Sequence, residues 1–190
     1  MKEIEILIEI KSDKVEVLKA LKNFEFQGIK KTLDIYFYDP LRDNLKPMGG
    51  GRLHASFRIR QKDGKNFIAY KVDHFENGEW SHSDEYETEI GEFDVMVNIV
   101  EKLGFKELVR VENEKHTFRV DDYEIVFEEV RDLGLFLEVE KMTEVEDKKV
   151  KDTKEMIRTF LKTLNIEFGL EQNAGKPELM LRTLEESKKE

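Results

Sequence analysis

The sequence predicts an α+β protein built around a large antiparallel sheet, and three observations carry that prediction. Residues 3–11 (EIEILIEIK) alternate between apolar and charged side chains, which is typical of a β-strand with one buried face. The dipeptides Asp63-Gly64 and Asn77-Gly78 separate strand-like segments, and such pairs favour the tight turn of a β-hairpin. Four other segments space their apolar residues as a helix does, so we expect helices to cover the sheet.

Eight segments are predicted to be strands, and their order along the chain favours neighbours joined by short turns. Asp121-Asp122 and Leu133-Gly134 mark two further tight connections. The predicted strands lie near residues 2–11, 32–38, 53–61, 66–74, 82–90, 108–119, 122–130 and 135–142.

Helical spacing predicts four helices. They lie near residues 13–24, 92–103 and 147–164, and from Pro177 into the charged tail. Asp13 is a suitable cap for the first helix, and Pro177 suits the first turn of the last one. Residues 39–52 have no periodicity, and we predict a mobile loop there.

Composition limits the class of protein. At 190 residues, with 39% hydrophobic and 39% charged side chains, the chain is expected to form a single domain over residues 1–190. A net charge of −10 argues against a general surface for nucleic acid or anionic membranes, but not against a local basic pocket. The absence of cysteine excludes disulfides and thiolate metal sites. Because no signal peptide or segment of transmembrane length is evident, we expect a soluble cytoplasmic protein.

Charged residues occupy one face of several predicted strands. In the first strand that face consists of Glu3, Glu5, Leu7, Glu9 and Lys11, opposite four isoleucines. The same arrangement recurs at Arg58 and Arg60, at Glu85, Glu87 and Glu89, and at Glu138 and Glu140.

Two interpretations of these charged faces stay open on the residues alone. Each strand by itself fits a half-buried strand whose polar side faces water. If helices cover the apolar faces and the sheet curls closed, the charged faces instead line a lumen. Such a lumen needs internal ion pairs, since an unpaired buried charge costs several kcal/mol. Mixing Arg58, Arg60, Lys71 and Lys115 with the glutamates supplies this pairing, and would also suit a polyanion and hard metal ions.

A series of short motifs resembles the CYTH domain, the family of triphosphate tunnel metalloenzymes. The motifs are the EIEIL start, Asp34-x-Tyr36-Phe37, FRIR, AYK at 69–71, LGF at 103–105 and EEVRDLGLFLEVE at 128–140. They recur in this order in class IV adenylyl cyclases, thiamine triphosphatases and inorganic tripolyphosphatases. The resemblance implies a closed barrel of eight antiparallel strands surrounded by helices, with a triphosphate bound inside on basic side chains and divalent metal ions on carboxylates.

The family's opening Glu-x-Glu-x-Lys motif fits this chain in two ways. One placement takes Glu3, Glu5 and Leu7, which keeps the interval to the first helix but replaces the lysine by leucine. The other takes Leu7, Glu9 and Lys11, which keeps the lysine but loses the first glutamate. We favour the first placement, in which Lys11 lies on the same face four residues beyond Leu7.

The resemblance assigns roles to further residues. It implies that catalysis depends on Lys71, Lys115 and Glu128. Substrate binding is expected at Arg58, Arg60, Lys71 and Lys115, with Lys11 and Arg110 at the edge of the set. Mg²⁺ or Mn²⁺ is expected at Glu3, Glu5, Glu128, Glu138 and Glu140. The chain departs from the family pattern at Leu7, Ser83 and Asn113, where basic residues are missing, and at Lys176-Pro177, where the last helix usually begins with Ser-Tyr.

Three functions are compatible with this pattern. We expect a metal-dependent phosphohydrolase that acts on tripolyphosphate, a nucleoside triphosphate or thiamine triphosphate. A class IV adenylyl cyclase, which converts ATP to cyclic AMP and pyrophosphate, is the alternative, because the same tunnel can host either reaction. A non-catalytic module that binds polyphosphate or nucleotide is the third, and the missing cations favour it. The expected partner is a small molecule with a triphosphate group, not nucleic acid or a membrane, and a homodimer is left open.

Overall fold

A computed structural model describes residues 2–142 and 149–187, with side chains described from Ile4 onward. Most of the chain between residues 2 and 142 is strand. The strands are β1 Lys2–Glu3, β2 Glu5–Ile10, β3 Glu25–Tyr38, β4 Ala55–Lys62, β5 Lys65–Glu76, β6 Glu79–Ile90, β7 Lys106–Val120, β8 Tyr123–Val130, β9 Gly134–Lys141 and β10 Phe168–Gln172. The helices are α1 Lys14–Leu21, α2 Phe93–Lys102, α3 Val150–Leu161 and α4 Lys176–Glu186.

The strands form one curled antiparallel sheet in the order β1-β6-β5-β4-β3-β7-β8-β9-β2-β10. Only Ile4 separates β1, which pairs with β6, from β2, which pairs with β9. Counted as one interrupted strand, β1 and β2 give a sheet of nine strands. The α+β class and the antiparallel sheet are therefore confirmed, whereas closure into a complete eight-stranded barrel stays a prediction.

The sequence placed the main elements correctly but missed two pieces of strand. β3 begins at Glu25 rather than near residue 32, because a bulge at Gly28, whose φ is +126°, interrupts the alternation there. β10 is only five residues long and joins the edge beside β2 with a register shift, so its sequence carries no alternating pattern. The segment 39–52 is mostly irregular, as expected, with two short 3₁₀ turns at Asp43–Leu45 and Gly49–Gly51. Residues 147 and 148, at the start of the third predicted helix, lie outside the described residues.

Apolar faces of the strands point outward, beneath the helices. Ile6, Ile8 and Ile10 of β2 pack in a cluster with Val17 of α1 and Ile157 of α3. A second cluster under α2 joins Val100 to apolar residues of β3 and β4, including Ile35 and Ile59. Because side chains alternate along a strand, this arrangement turns the charged residues of the same strands to the inside of the sheet.

One part of the inner face is apolar and is covered by the last helix. Leu7, Tyr36, Val111 and Phe136 of the sheet pack against Met180 of α4. Helix α4 therefore lies against the inner side of the curl, and its first residues reach the charged part of the interior. None of the helices in the described ranges is both long and apolar enough to span a bilayer.

Candidate active site inside the curled sheet

The inside of the curled sheet holds a cavity of about 660 Å³. Its lining comes from β2 to β9 together with the start of α4. Among the described residues the wall carries seven basic side chains: Lys30, Arg58, Arg60, Lys62, Lys71, Lys115 and Lys176. It carries nine acidic ones: Glu5, Asp34, Asp73, Glu85, Glu87, Glu124, Glu138, Glu140 and Glu178. The charged faces of the strands thus meet in one cavity rather than facing bulk water.

The two arginines of β4 are held by carboxylates from β3 and β6. Arg60 donates two hydrogen bonds of 2.7 Å to Asp34 of β3. Arg58 donates to Glu85 of β6 at 2.6 Å and to the Tyr36 hydroxyl at 3.3 Å. The Nε of Arg58 is buried and has no hydrogen-bond partner. A buried donor without a partner is costly, so an acceptor that reached this atom would stabilise the site.

The pKa of Asp34 reports the strength of this pairing. Burial raises that pKa, but the charge and the hydrogen bonds of Arg60 more than offset the effect, and the pKa falls from 3.8 to about 2. Asp34 therefore stays ionised in the cavity, and it fixes the Arg60 guanidinium in one orientation.

Two lysines expected at the site also lie in the cavity, each beside a glutamate. Lys71 of β5 donates to Glu5 at 2.8 Å, and its ammonium group lies 5.4 Å from the centre of the Trp80 ring. Lys115 of β7 lies 3.1 Å from Glu128. These pairs supply the internal compensation that burying several charges together requires.

Lys176, at the start of α4, contributes an ammonium group that sequence reasoning did not assign. Its Nζ donates to Glu128 at 2.7 Å and also to Glu138. Burial would lower the pKa of Lys176, but these two carboxylates raise it above its usual range. A sequence signal did exist, because a lysine in the first turn opposes the helix dipole and the following Pro177 fixes where the helix begins.

Glu128 lies at the centre of a cluster of hydrogen-bond donors. It is 0% exposed, and its carboxylate accepts from Asn113 at 2.7 Å while both Lys115 and Lys176 lie against its other oxygen. A carboxylate surrounded in this way must exchange one of these partners before it can bind a metal ion. In this arrangement Glu128 positions the two lysines, and its expected places among the metal ligands and the catalytic residues stay predictions.

Two other expected residues lie away from the cavity. Lys11 is exposed and pairs with Glu9, and Arg110 is exposed and donates twice to Glu107 at 2.8 Å. Neither lines the cavity, because Lys11 follows the last residue of β2 and Arg110 has its charge satisfied on the outer surface. The expectation that they bind substrate is not supported by their positions.

The positions that depart from the family pattern have local explanations. Ser83 is fully buried and donates to Asp73 at 2.7 Å while accepting from the Trp80 ring nitrogen at 3.0 Å. Asn113 binds Glu128, as described above. Leu7 lines the cavity opposite Glu138 in the β2–β9 register, which is compatible with both placements of the motif.

Carboxylates on three adjacent strands form a row that suits a hard cation. Glu5 of β2 pairs in register with Glu140 of β9, which pairs with Glu124 of β8. Like charges directly opposite each other are destabilising unless a cation lies between them. In the described arrangement no three acidic or histidine side chains converge closely enough to hold a metal ion. The donor chemistry nevertheless fits Mg²⁺ or Mn²⁺, which prefer carboxylate oxygens. The side chain of Glu3, the other expected ligand on this face, lies outside the described residues.

Comparisons with known proteins agree with this architecture. A family model described as the CYTH domain matches residues 1–170. A Methanocaldococcus jannaschii protein named "Putative adenylate cyclase" is 35% identical over 168 residues, covering 87% of this chain and 91% of that protein. The PH1819 protein of Pyrococcus horikoshii is 26% identical, with a TM-score of 0.77 over 94% of this chain and 98% of its own.

A plant protein shares the fold at lower identity. The Hippeastrum protein HpAC1, described as an adenylyl cyclase candidate with a dominant triphosphatase activity, is 20% identical, with a TM-score of 0.63 over 92% of each chain. At that identity the similarity shows the fold alone. The family match over residues 1–170 and the relative at 35% identity go further, and on their strength the chain belongs to the CYTH domain family.

Proposed function

We propose that this protein is a metal-dependent phosphohydrolase whose substrate is tripolyphosphate, a nucleoside triphosphate or thiamine triphosphate. The observation that carries this proposal is the convergence of basic side chains from β4, β5, β7 and α4 on one cavity that also holds a row of carboxylates. A triphosphate carries about four negative charges, so several cations must act on it together. Carboxylates in the same cavity would repel a bare anion, but their oxygens are suitable ligands for a divalent cation.

We also propose that the sheet closes into a tunnel of eight strands. The pairing of Lys2 with Asp84 and of Glu3 with Ser83 brings the start of the chain onto β6, while the next residues pair with β9. The first strand therefore bridges the two sides of the curl. A closed wall would exclude bulk water from the charges inside, which strengthens their interactions with a bound phosphate.

The charge of the cavity supports the need for a metal ion. Acidic groups outnumber basic ones in the described lining, nine to seven, so the cavity alone does not favour a polyanion. Membership of the CYTH family implies a divalent cation. Glu5, Glu140 and Glu124 would hold it, with Glu138 beside them. Such an ion would neutralise phosphate oxygens and lower the barrier to attack by a water molecule.

The basic side chains would bind and orient the phosphate groups. Arg58 offers its unpaired Nε, and Arg60 is held in place by Asp34. Lys71, Lys115 and Lys176 would act as point charges that stabilise the loose, charge-spread transition state of phosphoryl transfer. Each of these cations already has a carboxylate partner, so the site is preorganised and little reorganisation is needed when substrate enters.

Cyclisation of ATP is the second candidate, and the name of the M. jannaschii relative favours it. A cyclase must also bind the adenine base. The Trp80 ring is the natural stacking surface in the cavity, but the ammonium groups of Lys71 and Lys154 each lie 5.4 Å from its centre. Because the indole is already engaged with two cations, we place hydrolysis first.

Resolving the products of purified protein tests the proposal. The protein is incubated with Mg²⁺ or Mn²⁺ and tripolyphosphate, ATP or thiamine triphosphate. We expect orthophosphate, with turnover and binding strongly reduced in Arg58→Gln. Arg131→Gln is the matched control, because Arg131 is exposed and pairs with Glu112 outside the cavity. Cyclic AMP with pyrophosphate would instead identify a cyclase, and tight binding without products would identify a binding module.

A further inference from the structure

Two lysines in the cavity differ from its other described cations because neither forms an ion pair with a described carboxylate. Lys30 of β3 and Lys62 of β4 are half-buried and line the cavity wall. Within the described part of the chain, neither has a carboxylate close enough to form an ion pair. Arg58, Arg60, Lys71, Lys115 and Lys176, by contrast, each contact a carboxylate. Positive charge is therefore uncompensated at Lys30 and Lys62.

The strand register brings a third cation to the same place. Lys30 lies directly opposite Lys115 in the β3–β7 pair, and Thr32, two residues along the same face, lies opposite Lys62. Like charges facing each other across two strands are destabilising. The partner of Lys115 is Glu128, which Lys176 shares, so this carboxylate has little to offer Lys30.

The proton affinity of Lys62 agrees with this geometry. Burial lowers its pKa, and the charges of Arg60, Lys30 and Lys115 lower it further. Glu87 acts in the opposite direction, but its carboxylate also lies within 4 Å of Arg58 and Arg60. A group of cations that repel one another and are partly shielded from water is a site that an anion would stabilise.

We propose that Lys30 and Lys62, together with Lys115, form a subsite that binds the terminal phosphate of a linear polyphosphate. This inference rests on the proposed function and specifies it further, because it favours substrates whose phosphate chain is long enough to reach the subsite. A phosphate here would replace the repulsion among three cations by charge-assisted hydrogen bonds. The remaining cations would hold the phosphates next to the carboxylate row.

Calorimetry with non-hydrolysable analogues tests the subsite. Imidotriphosphate and the shorter imidodiphosphate are titrated, in the presence of Mg²⁺, into the unaltered protein and into Lys30→Gln and Lys62→Gln. We expect each variant to raise the Kd for imidotriphosphate about tenfold, which is the effect of one lost charge-assisted contact. The Kd for imidodiphosphate should change by less than about threefold, since a shorter chain cannot occupy the subsite and the other cations together.

Neighbouring lysines provide matched controls. Lys31, the next residue of β3, is largely exposed on the opposite face, and Lys65 pairs with Glu89 outside the cavity. Lys31→Gln and Lys65→Gln should leave both dissociation constants unchanged. Thermal unfolding without ligand gives a second measurement: Lys62→Gln should melt at the same temperature or higher, because it removes a repelled charge.

Three results would overturn the proposal, and each points to a different error. If the unaltered protein binds imidotriphosphate and both cavity variants bind it equally well, the subsite is wrong while the proposed function stands. If the unaltered protein binds neither analogue, the proposed function fails and the subsite fails with it. An equal loss of affinity for both analogues would show that the lysines act as a general positive potential rather than as a site for the terminal phosphate.

Discussion

Lys176 supplies the positive charge beside Glu138, at a place in the cavity that Leu7 also faces. In the favoured placement of the CYTH motif, Leu7 stands where the family pattern has a lysine. Leu7 lies opposite Glu138 in the β2–β9 register. Here the ammonium group that contacts Glu138 comes from Lys176, on a helix far along the chain. The charge is present, but a different element supplies it. The apolar Leu7 side chain instead packs with Phe136 and Met180, which helps to seat α4.

This arrangement predicts how substitutions at the two positions combine. Lys176→Met should lower turnover on the best triphosphate by roughly ten- to a hundredfold, because one charge-assisted contact is lost in the transition state. Leu7→Lys alone should change turnover little, since Glu138 already has an ammonium partner. The double variant Leu7→Lys, Lys176→Met should recover part of the loss, because a lysine at position 7 faces the same carboxylate.

Steady-state kinetics of the three variants check this prediction, with Lys162→Met as a control at the exposed end of α3. Recovery in the double variant would not be expected if Lys176 had only a structural role. The opposite pattern, in which Leu7→Lys alone raises turnover and Lys176→Met has no effect, would contradict the assignment.

At the scale of elements, the β3–β4 pair and helix α4 hold the site together. Asp34 and Arg60 are direct partners in the β3–β4 register, and both side chains point inward. In α4, buried Glu178 accepts hydrogen bonds from the backbone amides of Gly175 and of Leu53, which follows the 39–52 segment. The start of α4 and the end of that segment are thereby fixed to each other, and Lys176 is held at the cavity.

The Asp34–Arg60 pair predicts a pH dependence of stability. The folded-state pKa of Asp34 is about 2, below its ordinary 3.8, so the pair stabilises the fold above about pH 4. That contribution, about 2 kcal/mol, is lost as the pH falls from about 4 to 2. Asp34→Asn should therefore lower the free energy of unfolding near pH 7, by about 3 kcal/mol because Arg60 stays buried without a charged partner. It should also flatten the fall in stability below pH 4.

Urea unfolding from pH 2.5 to 7 measures both effects. Asp43→Asn is the control, since Asp43 is 98% exposed and pairs only with Lys46 at the surface. An unchanged slope below pH 4 in Asp34→Asn would mean that other carboxylates cause the acid sensitivity.

At the scale of the whole molecule, the proposed function requires an acidic protein to bind a polyanion. The chain carries a net charge of −10, and the described lining of its cavity is itself more acidic than basic. Long-range electrostatics therefore oppose the approach of a triphosphate, and screening by salt weakens that opposition. Under the proposed function, a divalent cation would reverse this balance by pairing with both the carboxylates and the phosphates.

Thermal unfolding should show this dependence directly. With Mg²⁺, imidotriphosphate at a hundred times its Kd should stabilise the fold by about 2.7 kcal/mol, which corresponds to a rise in Tm of roughly 5–10 °C. With EDTA in place of Mg²⁺, we expect little or no rise. The variant Arg58→Gln should reduce the shift in Mg²⁺, whereas Arg131→Gln should not. A rise of the same size in EDTA would show that the phosphate binds without a metal ion.

Local sequence patterns predicted most of the strands, the helices and which residues share a face, but not β10 or the first part of β3. Alternation in EIEILIEIK and FRIR depends only on neighbouring residues, and so do the turns at Asp63-Gly64 and Asn77-Gly78, whose positive φ values the structure shows. The charge pattern of the strands singled out seven residues, and the resemblance gave them roles. All seven line the cavity: Arg58, Arg60, Lys71, Lys115, Glu5, Glu138 and Glu140.

Tertiary structure alone decided which charges meet. Lys176 reaches Glu138 across 38 residues of chain, and Lys30 faces Lys115 because a bulge at Gly28 shifts the β3–β7 register. Lys11 and Arg110 lie outside the cavity, and Glu128 is enclosed by three donors, for the same reason. Contacts between residues distant in the chain depend on strand order, strand register and the docking of helices. A local sequence pattern does not predict any of these three features. Local periodicity therefore fixes the face of a side chain, while long-range packing fixes its partner.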